Sequence, residues 1–288
     1  SLSRFVFGNN SLQLPSEKSM LKVRTLKGQE LFHAAGSIEF DDKGFLYLST
    51  GDNSAHSGNE YALIDERQGR IAFDAQRSSA NSMDLRGKIL RIKPLADGSY
   101  LCPKGNLYAN EDVILPPATE QEPGDPAFLK KIKGTLNAVS VTGVKPEKTT
   151  SIATQQLKID SDSISTTDPV YSSYGRPEIF VMGVRNPFRI SYDNKSQTLF
   201  WGDVGPDAGV FDSLRGPEGY DEINAARTAG FYGWPYFIGP NLAYRDFDFK
   251  TNKPGAYFNP LHPVNNSPHN TGSVSLPPAR PSLIWYTY

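Results

Sequence analysis

The sequence predicts an all-β fold built by repetition of antiparallel strand units, as in a β-propeller or a related repeat architecture. One phrase occurs twice, at residues 36–53 and 188–205, with the same order of residue types. The 25 glycines and 22 prolines form about 16% of the 288 residues, above the roughly 12% usual in soluble proteins, and they suit tight turns. The sequence also lacks long segments with helical periodicity.

The two copies of the phrase have the pattern of β-hairpins. Residues 36–53 are GSIEFDDKGFLYLSTGDN, and residues 188–205 are FRISYDNKSQTLFWGDVG. In both, a strand of alternating apolar and polar residues leads to a turn with Asp and Lys, and a second alternating strand ends in Gly-Asp. Two hairpins with the same ending indicate one supersecondary unit that is used more than once, which is typical of propellers.

Further strands are expected between and after these hairpins. Residues 87–94 (GKILRIKP) predict an apolar strand with outward-facing cations, residues 178–183 (EIFVMG) a second strand, and residues 220–225 (YDEINA) an edge strand. The alanine-rich piece at 225–229 allows at most one turn of helix. Residues 110–175 are rich in Ser, Thr and Lys and poor in aromatic residues, so we expect a polar insertion within a single domain over 1–288.

Composition excludes several classes of protein. One cysteine, Cys102, cannot form an internal disulfide framework or a cysteine-rich zinc module. A net charge of −1 and a pI of about 6.4 argue against nucleic-acid binding. The four histidines lack the HxH or HExxH spacing of zinc sites. The longest apolar run, near 179–184, is far shorter than the roughly 18–20 residues of a membrane-spanning helix.

A series of motifs in a fixed order resembles one known family. The motifs are HAAGSIEF at 33–40 with Gly-Asp at 51–52, LRGKILRIKP at 85–94, GVRNP at 183–187, GDVGP at 202–206, YDEIN at 220–224 and YGWP at 232–235. Together they resemble the soluble quinoprotein glucose/sorbosone dehydrogenase family over roughly residues 1–110 and 176–288. The resemblance implies a six-bladed β-propeller that oxidises sugars with pyrroloquinoline quinone (PQQ) outside the cytoplasm, in the periplasm or as a secreted protein.

The resemblance implies catalytic and cofactor-binding roles for particular residues. His33 matches the family's catalytic base, and an imidazole titrates in the range that removal of a hydroxyl proton requires. Arg185 and Asn186 match a pair that contacts the quinone, and Arg185 also stabilises charge during catalysis. Asp221 matches a further residue near the quinone. The implied substrate is an aldose or a related polyol, and a protein that accepts the electrons is a further expected partner.

Two calcium sites are also implied by the resemblance. Gly205 and Pro206 match residues whose backbone carbonyls hold the calcium ion beside the quinone, where the ion acts as a Lewis acid. Glu222 and Tyr232 match ligands of a second, structural calcium ion. The sequence shows no clear counterpart of that ion's remaining ligands after Gly239.

Departures from the family pattern keep other functions open. Phe32 stands where an acidic residue often precedes the base, Val204 stands where the glucose enzymes carry Gln, and residues 207–219 are a long stretch where those enzymes have only a few residues. These differences favour the alternative of a non-catalytic carbohydrate- or protein-binding propeller module in a secreted multidomain protein. A third hypothesis, a hydrolase, requires Asp52 and Asp203 to lie close together and to face a cleft.

Chain length indicates an incomplete propeller. One blade takes about 40–50 residues, so the roughly 220 residues outside the insertion suffice for about four blades rather than six. Propellers avoid exposed sheet edges by closing on themselves. Together with a first residue that is Ser rather than Met, this predicts that the chain is a fragment of a longer protein.

Overall fold

The computed structural model describes residues 1–28, 32–55, 61–118 and 174–287 of the chain. The chain divides into two compact units, Ser1–Glu120 with Tyr171–Tyr288, and Gln121–Val170. The second unit, which contains most of the predicted insertion at 110–175, lies outside the described residues. A single propeller domain with an insertion at these positions stays a prediction.

Strands dominate the described part of the chain, as the sequence predicts. They are, in chain order, β1 (Leu2–Gly8), β2 (Ser11–Leu21), β3 (Ala35–Phe40), β4 (Leu46–Thr50), β5 (Lys88–Pro94), β6 (Tyr100–Cys102), β7 (Val113–Leu115), β8 (Ile179–Met182), β9 (Arg189–Asp193), β10 (Thr198–Asp203), β11 (Asp221–Ala226), β12 (Gly230–Phe231), β13 (Phe237–Ile238), β14 (Leu242–Ala243), β15 (Arg245–Asp248), β16 (Lys253–Tyr257) and β17 (Ile284–Tyr286). The helices in these ranges are short 3₁₀ turns at Ile71–Phe73 and Ala75–Arg77, and none is long and apolar enough to cross a membrane. The all-β class is therefore confirmed, and it agrees with a propeller-like fold. The number of blades and the incompleteness of the propeller stay predictions.

The largest sheet is built on buried apolar strands. Its main path runs β12-β8-β5-β4-β3, and β6 and β7 extend it from β5. All four residues of β8 are buried, which is typical of a strand covered on both faces. The prediction of outward-facing cations is wrong for Lys88 of β5, which is 0% exposed. Its side chain turns inward because its ammonium group reaches backbone carbonyls there.

A four-stranded sheet has the order β17-β11-β10-β9. The predicted strand at 220–225 is present as β11, but the prediction that it is an edge strand is wrong, because β17 pairs with it. A partner from a distant part of the chain leaves no local trace in the sequence. Residues 225–229 form no helix, since β11 continues to Ala226.

The two repeated hairpins are confirmed, and they contact each other. β3 pairs with β4, and β9 pairs with β10, both antiparallel. The backbone N–H of Ile190 in β9 donates to the Ser37 hydroxyl in β3 at 3.4 Å. Each hairpin brings one carboxylate, Asp52 after β4 and Asp203 at the end of β10, to the segment that follows β8.

An aromatic cluster joins the two hairpins to β8. Tyr47 stacks on Tyr192 with ring centroids 5.1 Å apart and meets Phe180 edge to face at 5.6 Å. Trp201 and Tyr232 make a second edge-to-face contact at 4.7 Å. These ring contacts stabilise the packing beyond the burial of apolar area, so they hold the strand ends in a fixed arrangement.

Candidate functional site

Polar residues from separate strand ends converge on one site. His33 and Asp52 flank the β3–β4 hairpin, Arg185 follows β8, Asp203 ends β10 and Trp234 follows β12. The backbone N–H of Asp52 donates to the Arg185 carbonyl at 2.8 Å. The backbone N–H of Arg185 in turn donates to Asp203 Oδ2 at 2.9 Å. The strand arrangement therefore assembles a site from residues that are far apart in the chain.

Close backbone packing places His33 beside the end of the hairpin. His33 has a φ of 52°, a left-handed conformation that His tolerates better than most residues. Its carbonyl accepts a hydrogen bond from the Asn53 amide at 3.1 Å. A Cβ at Gly51 would lie 1.9 Å from that carbonyl oxygen, so only glycine fits there. The glycine of the first Gly-Asp ending thus admits the histidine next to the aspartate.

His33 and Asp52 form a buried hydrogen-bonded pair. His33 Nδ1 lies 3.0 Å from Asp52 Oδ1 and 3.4 Å from the Ser54 hydroxyl. Burial favours a raised pKa for Asp52, but His33, Arg185 and Ser54 outweigh it and hold that pKa below its usual value. An ionised carboxylate only accepts hydrogen bonds, so Nδ1 of the histidine carries the proton and Nε2 of the neutral ring is an acceptor.

Asp52 has a second contact that sequence reasoning missed. Its Oδ2 accepts a hydrogen bond from the indole Nε1 of Trp234 at 2.8 Å. Its Oδ1 also accepts from the backbone N–H and the hydroxyl of Ser54, at 2.9 Å and 2.7 Å. The carboxylate is fully buried and bound at both oxygens, so its orientation is fixed. Asp52 and Trp234 each stand in a recognisable motif, Gly-Asp and YGWP, but no spacing in the sequence indicates that the two side chains are in contact.

Arg185 and Asn186 direct their backbone N–H groups at one carboxylate. Arg185 N donates to Asp203 Oδ2 at 2.9 Å, and Asn186 N donates to Oδ1 at 2.6 Å. Burial raises the pKa of Asp203 to about 6, although these two amides and the Arg185 charge oppose the rise. Asp203 therefore holds the Arg-Asn segment in place, a role that the repeated phrase does not indicate.

The side chains of this pair carry buried atoms that find no hydrogen-bond partner in the described residues, Arg185 Nε and Asn186 Oδ1. Arg185 Nη1 lies 3.5 Å from the Val204 carbonyl, which is a weak hydrogen bond. Within the described ranges no carboxylate forms an ion pair with Arg185. The unused Nε donor of the buried guanidinium fits an anionic ligand such as a quinone with carboxylates, whereas Asn186 Oδ1 only accepts and would require an N–H or O–H donor on the ligand.

A small cavity lies beside Arg185. Its volume is about 10 Å³, which is room for about one water molecule or one ion. The candidate residues among its lining are Arg185, Gly205, Glu222 and Tyr232, joined by Asp203, Val204 and Trp234. The structure thus brings members of the predicted quinone and calcium sites together. A quinone ring system is far larger than this cavity, so the cavity by itself does not hold one.

Gly205, Pro206 and Asp221 lie in two closely packed backbone segments, where the resemblance implies the calcium ion beside the quinone. Gly205 N donates to Asp221 Oδ1 at 2.9 Å. A Cβ at Gly205 would lie 2.1 Å from the Tyr220 carbonyl oxygen, and one at Gly219 would lie 1.7 Å from that of Pro206. These two glycines let the backbones approach closely. Backbone carbonyls are among the hard oxygen donors that calcium prefers.

Glu222 and Tyr232 do not fit the second calcium ion. Glu222 Oε1 accepts the Gly239 amide at 2.6 Å, and Oε2 accepts the Asn224 side-chain amide at 3.0 Å, so N–H donors lie where a cation would bind. Burial raises the pKa of Glu222 to about 8. The Tyr232 hydroxyl donates to the Ala225 carbonyl at 2.8 Å. In the part of the chain that the structure describes, no cluster of three or more His, Cys, Asp or Glu is placed to hold a metal ion.

The hydrolase hypothesis meets only one of its two requirements. Asp52 and Asp203 both contact Arg185, so they lie near each other. Asp52 is 0% exposed and Asp203 is 8% exposed, and each oxygen of both carboxylates accepts a hydrogen bond from the protein. The two side chains therefore do not form an exposed catalytic pair.

Comparison with known proteins supplies a family context for part of the chain. A family model described as Glucose / Sorbosone dehydrogenase matches residues 141–276. The HIPL1 protein of Arabidopsis thaliana is 32% identical over 95 residues, which is 33% of this chain and 12% of that protein. The HIPL2 protein of the same plant is 27% identical over 244 residues, which is 84% of this chain and 22% of that protein.

Solved structures similar to this chain include the soluble aldose sugar dehydrogenase of Escherichia coli in the apo-form. It is 17% identical with a TM-score of 0.35, covering 93% of this chain and 42% of the other. A second, a glucose dehydrogenase, is 16% identical with a TM-score of 0.36, covering 88% of this chain and 39% of the other.

The coverage of these matches is uneven. The family match includes residues 141–175, which the sequence analysis assigned to an insertion outside the resemblance, and it leaves out residues 1–140. The chain spans 12% to 22% of the length of the two curated relatives and about 40% of the length of the dehydrogenases of known structure.

Proposed function

Because the chain resembles the glucose/sorbosone dehydrogenases, as the family match confirms, we propose that it contributes catalytic residues to a sugar dehydrogenase that uses PQQ. The substrate is an aldose or a related polyol, the enzyme acts outside the cytoplasm, and its electrons pass to an acceptor protein. One observation supports this proposal most directly. The buried His33–Asp52 pair shares a site with Arg185, whose Nε has no partner among the described residues.

His33 is the general base in this proposal. Asp52 and Ser54 engage its Nδ1, so Nε2 takes the proton of the sugar hydroxyl. The carboxylate of Asp52 then stabilises the imidazolium that forms. PQQ, when bound, would supply the acceptor for the hydride that leaves the carbon atom bearing that hydroxyl group. The proton and the hydride together account for both hydrogens that the alcohol loses as it becomes a carbonyl.

Arg185 and Asn186 bind the quinone in this proposal. Arg185 Nε has a donor and Asn186 Oδ1 an acceptor that the described residues do not use, so the first would bind an oxygen of the quinone and the second would accept an N–H from it. The Arg185 charge also stabilises the negative charge that develops on the quinone. Because the described cavity has room for about one water molecule, we place the other walls of the quinone site elsewhere in the protein.

In the same proposal Gly205 and Pro206 would hold a calcium ion through their backbone carbonyls, because calcium prefers hard oxygen ligands. Asp221, which accepts the Gly205 amide at 2.9 Å, contributes to the quinone site beside them. A calcium ion there supplies Lewis-acid polarisation of a quinone carbonyl. Glu222 and Tyr232 have no metal role in this proposal, because their oxygens are already engaged within the protein.

Replacement of His33 tests the proposal in the full-length protein that carries this chain. We expect His33→Ala to slow quinone reduction by the sugar at least about 10²-fold, because general base catalysis contributes about 10²–10⁴-fold. Quinone and calcium still bind, which a titration of the quinone absorbance measures. His269 supplies a matched control, because its Nδ1 lies 2.6 Å from Asp74 Oδ2 in a second His–Asp pair. Wild-type rates in His33→Ala, or equal losses in His269→Ala, exclude His33 as the base.

A non-catalytic carbohydrate- or protein-binding module is the second candidate function. Phe32 is 45% exposed next to His33, and Val204 brings an apolar side chain to the cavity beside Arg185. Two positions near the candidate catalytic groups thus lack side chains that form hydrogen bonds. Titration with PQQ and calcium discriminates between the functions. A spectral change with a higher Tm supports the enzyme, and the absence of both in folded protein favours the binding module.

A further inference from the structure

We propose that Trp234 is a positioning residue: its indole N–H fixes the plane of the Asp52 carboxylate, and Asp52 in turn orients the His33 ring. The role of this contact in catalysis rests on the proposed function, in which His33 is the general base. Trp234 acts through Asp52 and is assigned no contact with the reacting atoms. The proposal concerns a hydrogen bond between residues 182 positions apart in the chain.

The two oxygens of Asp52 have unequal partners. Oδ1 lies near three polar groups, the backbone N–H and hydroxyl of Ser54 and Nδ1 of His33. The partner of Oδ2 within the described ranges is the indole N–H of Trp234, at 2.8 Å. Contacts at one oxygen leave a carboxylate able to rotate about that oxygen, and a donor at the other oxygen prevents the rotation. With the plane of the Asp52 carboxylate fixed, Oδ1 stays in line with the His33 Nδ1–H.

Trp234 is itself held in a fixed position. Its backbone N–H donates to the Gly183 carbonyl at 3.0 Å, and its side chain is buried. The guanidinium carbon of Arg185 lies 5.7 Å from the centre of its ring. The indole therefore contacts both halves of the site, Asp52 through its edge and Arg185 through its face. Tryptophan combines a large rigid ring with an N–H that only donates, whereas phenylalanine keeps much of the ring and lacks the donor.

Loss of the indole N–H has a defined chemical consequence. Asp52 Oδ2 would stay buried without a partner, and a buried charged group without its hydrogen bond is unfavourable. The charged form of the carboxylate loses one stabilising donor, so the pKa of Asp52 rises toward its usual value. His33 then meets a carboxylate that is less well oriented and more readily protonated.

Trp234→Phe tests the proposal, with Trp201→Phe as its matched control. Trp201 is also buried, and its Nε1 forms no hydrogen bond with any residue that the structure describes. The measurement is the low-field proton NMR signal of the His33 Nδ1–H, which requires neither sugar nor quinone and is assigned with His33→Ala. We expect this signal to move upfield and to exchange faster with water in Trp234→Phe. Trp201→Phe keeps the wild-type signal.

Kinetics in the full-length protein supply a second measurement. In Trp234→Phe we expect kcat/KM for the sugar to fall about tenfold through kcat. The KM for the sugar stays near the wild-type value, since Trp234 does not bind it. Trp201→Phe should keep the wild-type kcat. A purely structural role for Trp234 would lower the yield of folded enzyme without changing kcat per folded active site.

The outcomes separate this inference from the proposed function. An unchanged Nδ1–H signal in Trp234→Phe, or an equal change in Trp201→Phe, overturns the positioning role. If Trp234→Phe does not fold, Asp52→Asn decides: the Trp234 indole N–H signal must shift while that of Trp201 stays. A shift in the NMR signals with full activity in His33→Ala would instead refute the proposed base and leave the positioning contact standing.

Discussion

Lys88 is a buried cation whose hydrogen-bond partners are backbone carbonyls. Its Nζ donates to the carbonyl oxygens of Ser78, Ser79 and Arg86, at 2.7, 3.1 and 2.8 Å. Three acceptors match the three N–H groups of an ammonium. The segment that Lys88 holds supports the candidate site, because the Gly87 amide donates to the Gly51 carbonyl at 2.9 Å.

We expect Lys88→Met to lower the free energy of unfolding at pH 7 by at least about 3 kcal/mol. The substitution leaves three buried carbonyls without their donor, at about 1–3 kcal/mol each. Urea denaturation followed by tryptophan fluorescence measures the loss. Lys43 supplies the control, since its Nζ meets Gln197 Oε1 at the surface, and Lys43→Met should stay within about 0.5 kcal/mol of wild type. A loss below about 1 kcal/mol in Lys88→Met would contradict this account.

The pH dependence of the same variant follows from the titration of Lys88. Burial lowers its pKa to about 7, against the opposing charge of Asp84. A lysine in an unfolded chain titrates near 10.4, so between about pH 7 and pH 10.4 the unfolded state binds more protons at this position than the folded state. Stability contributed by Lys88 therefore rises with pH across this window. The loss in Lys88→Met should grow from pH 7 to pH 10 in the same urea titrations.

Among the elements, β5 is the strand through which the large sheet is connected. It pairs with β4 on one side and with β8 on the other, and its last residues also pair with β6. Its Ile89 is 0% exposed and packs in the aromatic cluster. At the end of the same path, Ile38 of β3 is 47% exposed. Substitutions of these two isoleucines therefore allow a central strand of the sheet to be compared with the strand at its end.

Ile89→Ala should lower the free energy of unfolding by about 2–5 kcal/mol, because it removes buried methyl and methylene groups and leaves a cavity in a packed core. Ile38→Ala makes the same chemical change at an exposed position, and we expect it to cost no more than about 0.5 kcal/mol. Thermal and urea unfolding of the two variants provide the measurement. Equal losses would mean that the side chain of Ile89 is not buried as described.

The repeated hairpins show how much of an element the sequence can predict. Alternation and turn residues predicted β3–β4 and β9–β10, because these signals act between neighbouring positions. The same signals placed the strand at 220–225, but they did not show that β17 pairs with it. Strand pairing depends on hydrogen bonds between backbone groups of different segments, so the pattern within one segment does not specify its partner.

For the molecule as a whole, the larger core cluster joins parts of the chain on both sides of residues 119–173. It contains Leu2 and Tyr100 from the first part and Phe231 and Leu276 from the last. These residues are buried within the unit Ser1–Glu120 with Tyr171–Tyr288. Apolar burial between these two parts of the chain therefore stabilises the unit.

Replacement of residues 121–170 by a flexible Gly/Ser linker of about 15 residues should leave this unit folded. Such a linker has a root-mean-square span of about 20 Å. We expect the near-UV circular dichroism of the buried aromatic residues to be retained and the Tm to change by less than about 5 °C. Loss of the near-UV signal would show that the unit needs the removed segment, and it would contradict the prediction of an insertion.

The candidate site was predictable as a set of residues but not as a set of contacts. His33, Arg185 and Asn186 stand in recognisable motifs, and the structure brings them together. The contact between Asp52 and Trp234 carries no such signal, since the two residues are 182 positions apart. A hydrogen bond at that separation depends on the packing of several strands, each of which has its own local pattern.

The sequence by itself determined the all-β class, the two hairpins and the polar residues available to the site, because alternation and turn chemistry act over a few neighbouring positions. Only the tertiary structure decided how those residues are used. It turned Lys88 inward, and it placed N–H donors at Glu222 where the family pattern implied a cation. It also joined Asp52 to both His33 and Trp234. These outcomes depend on desolvation and on hydrogen bonds between distant segments, which exist only once the strands have packed.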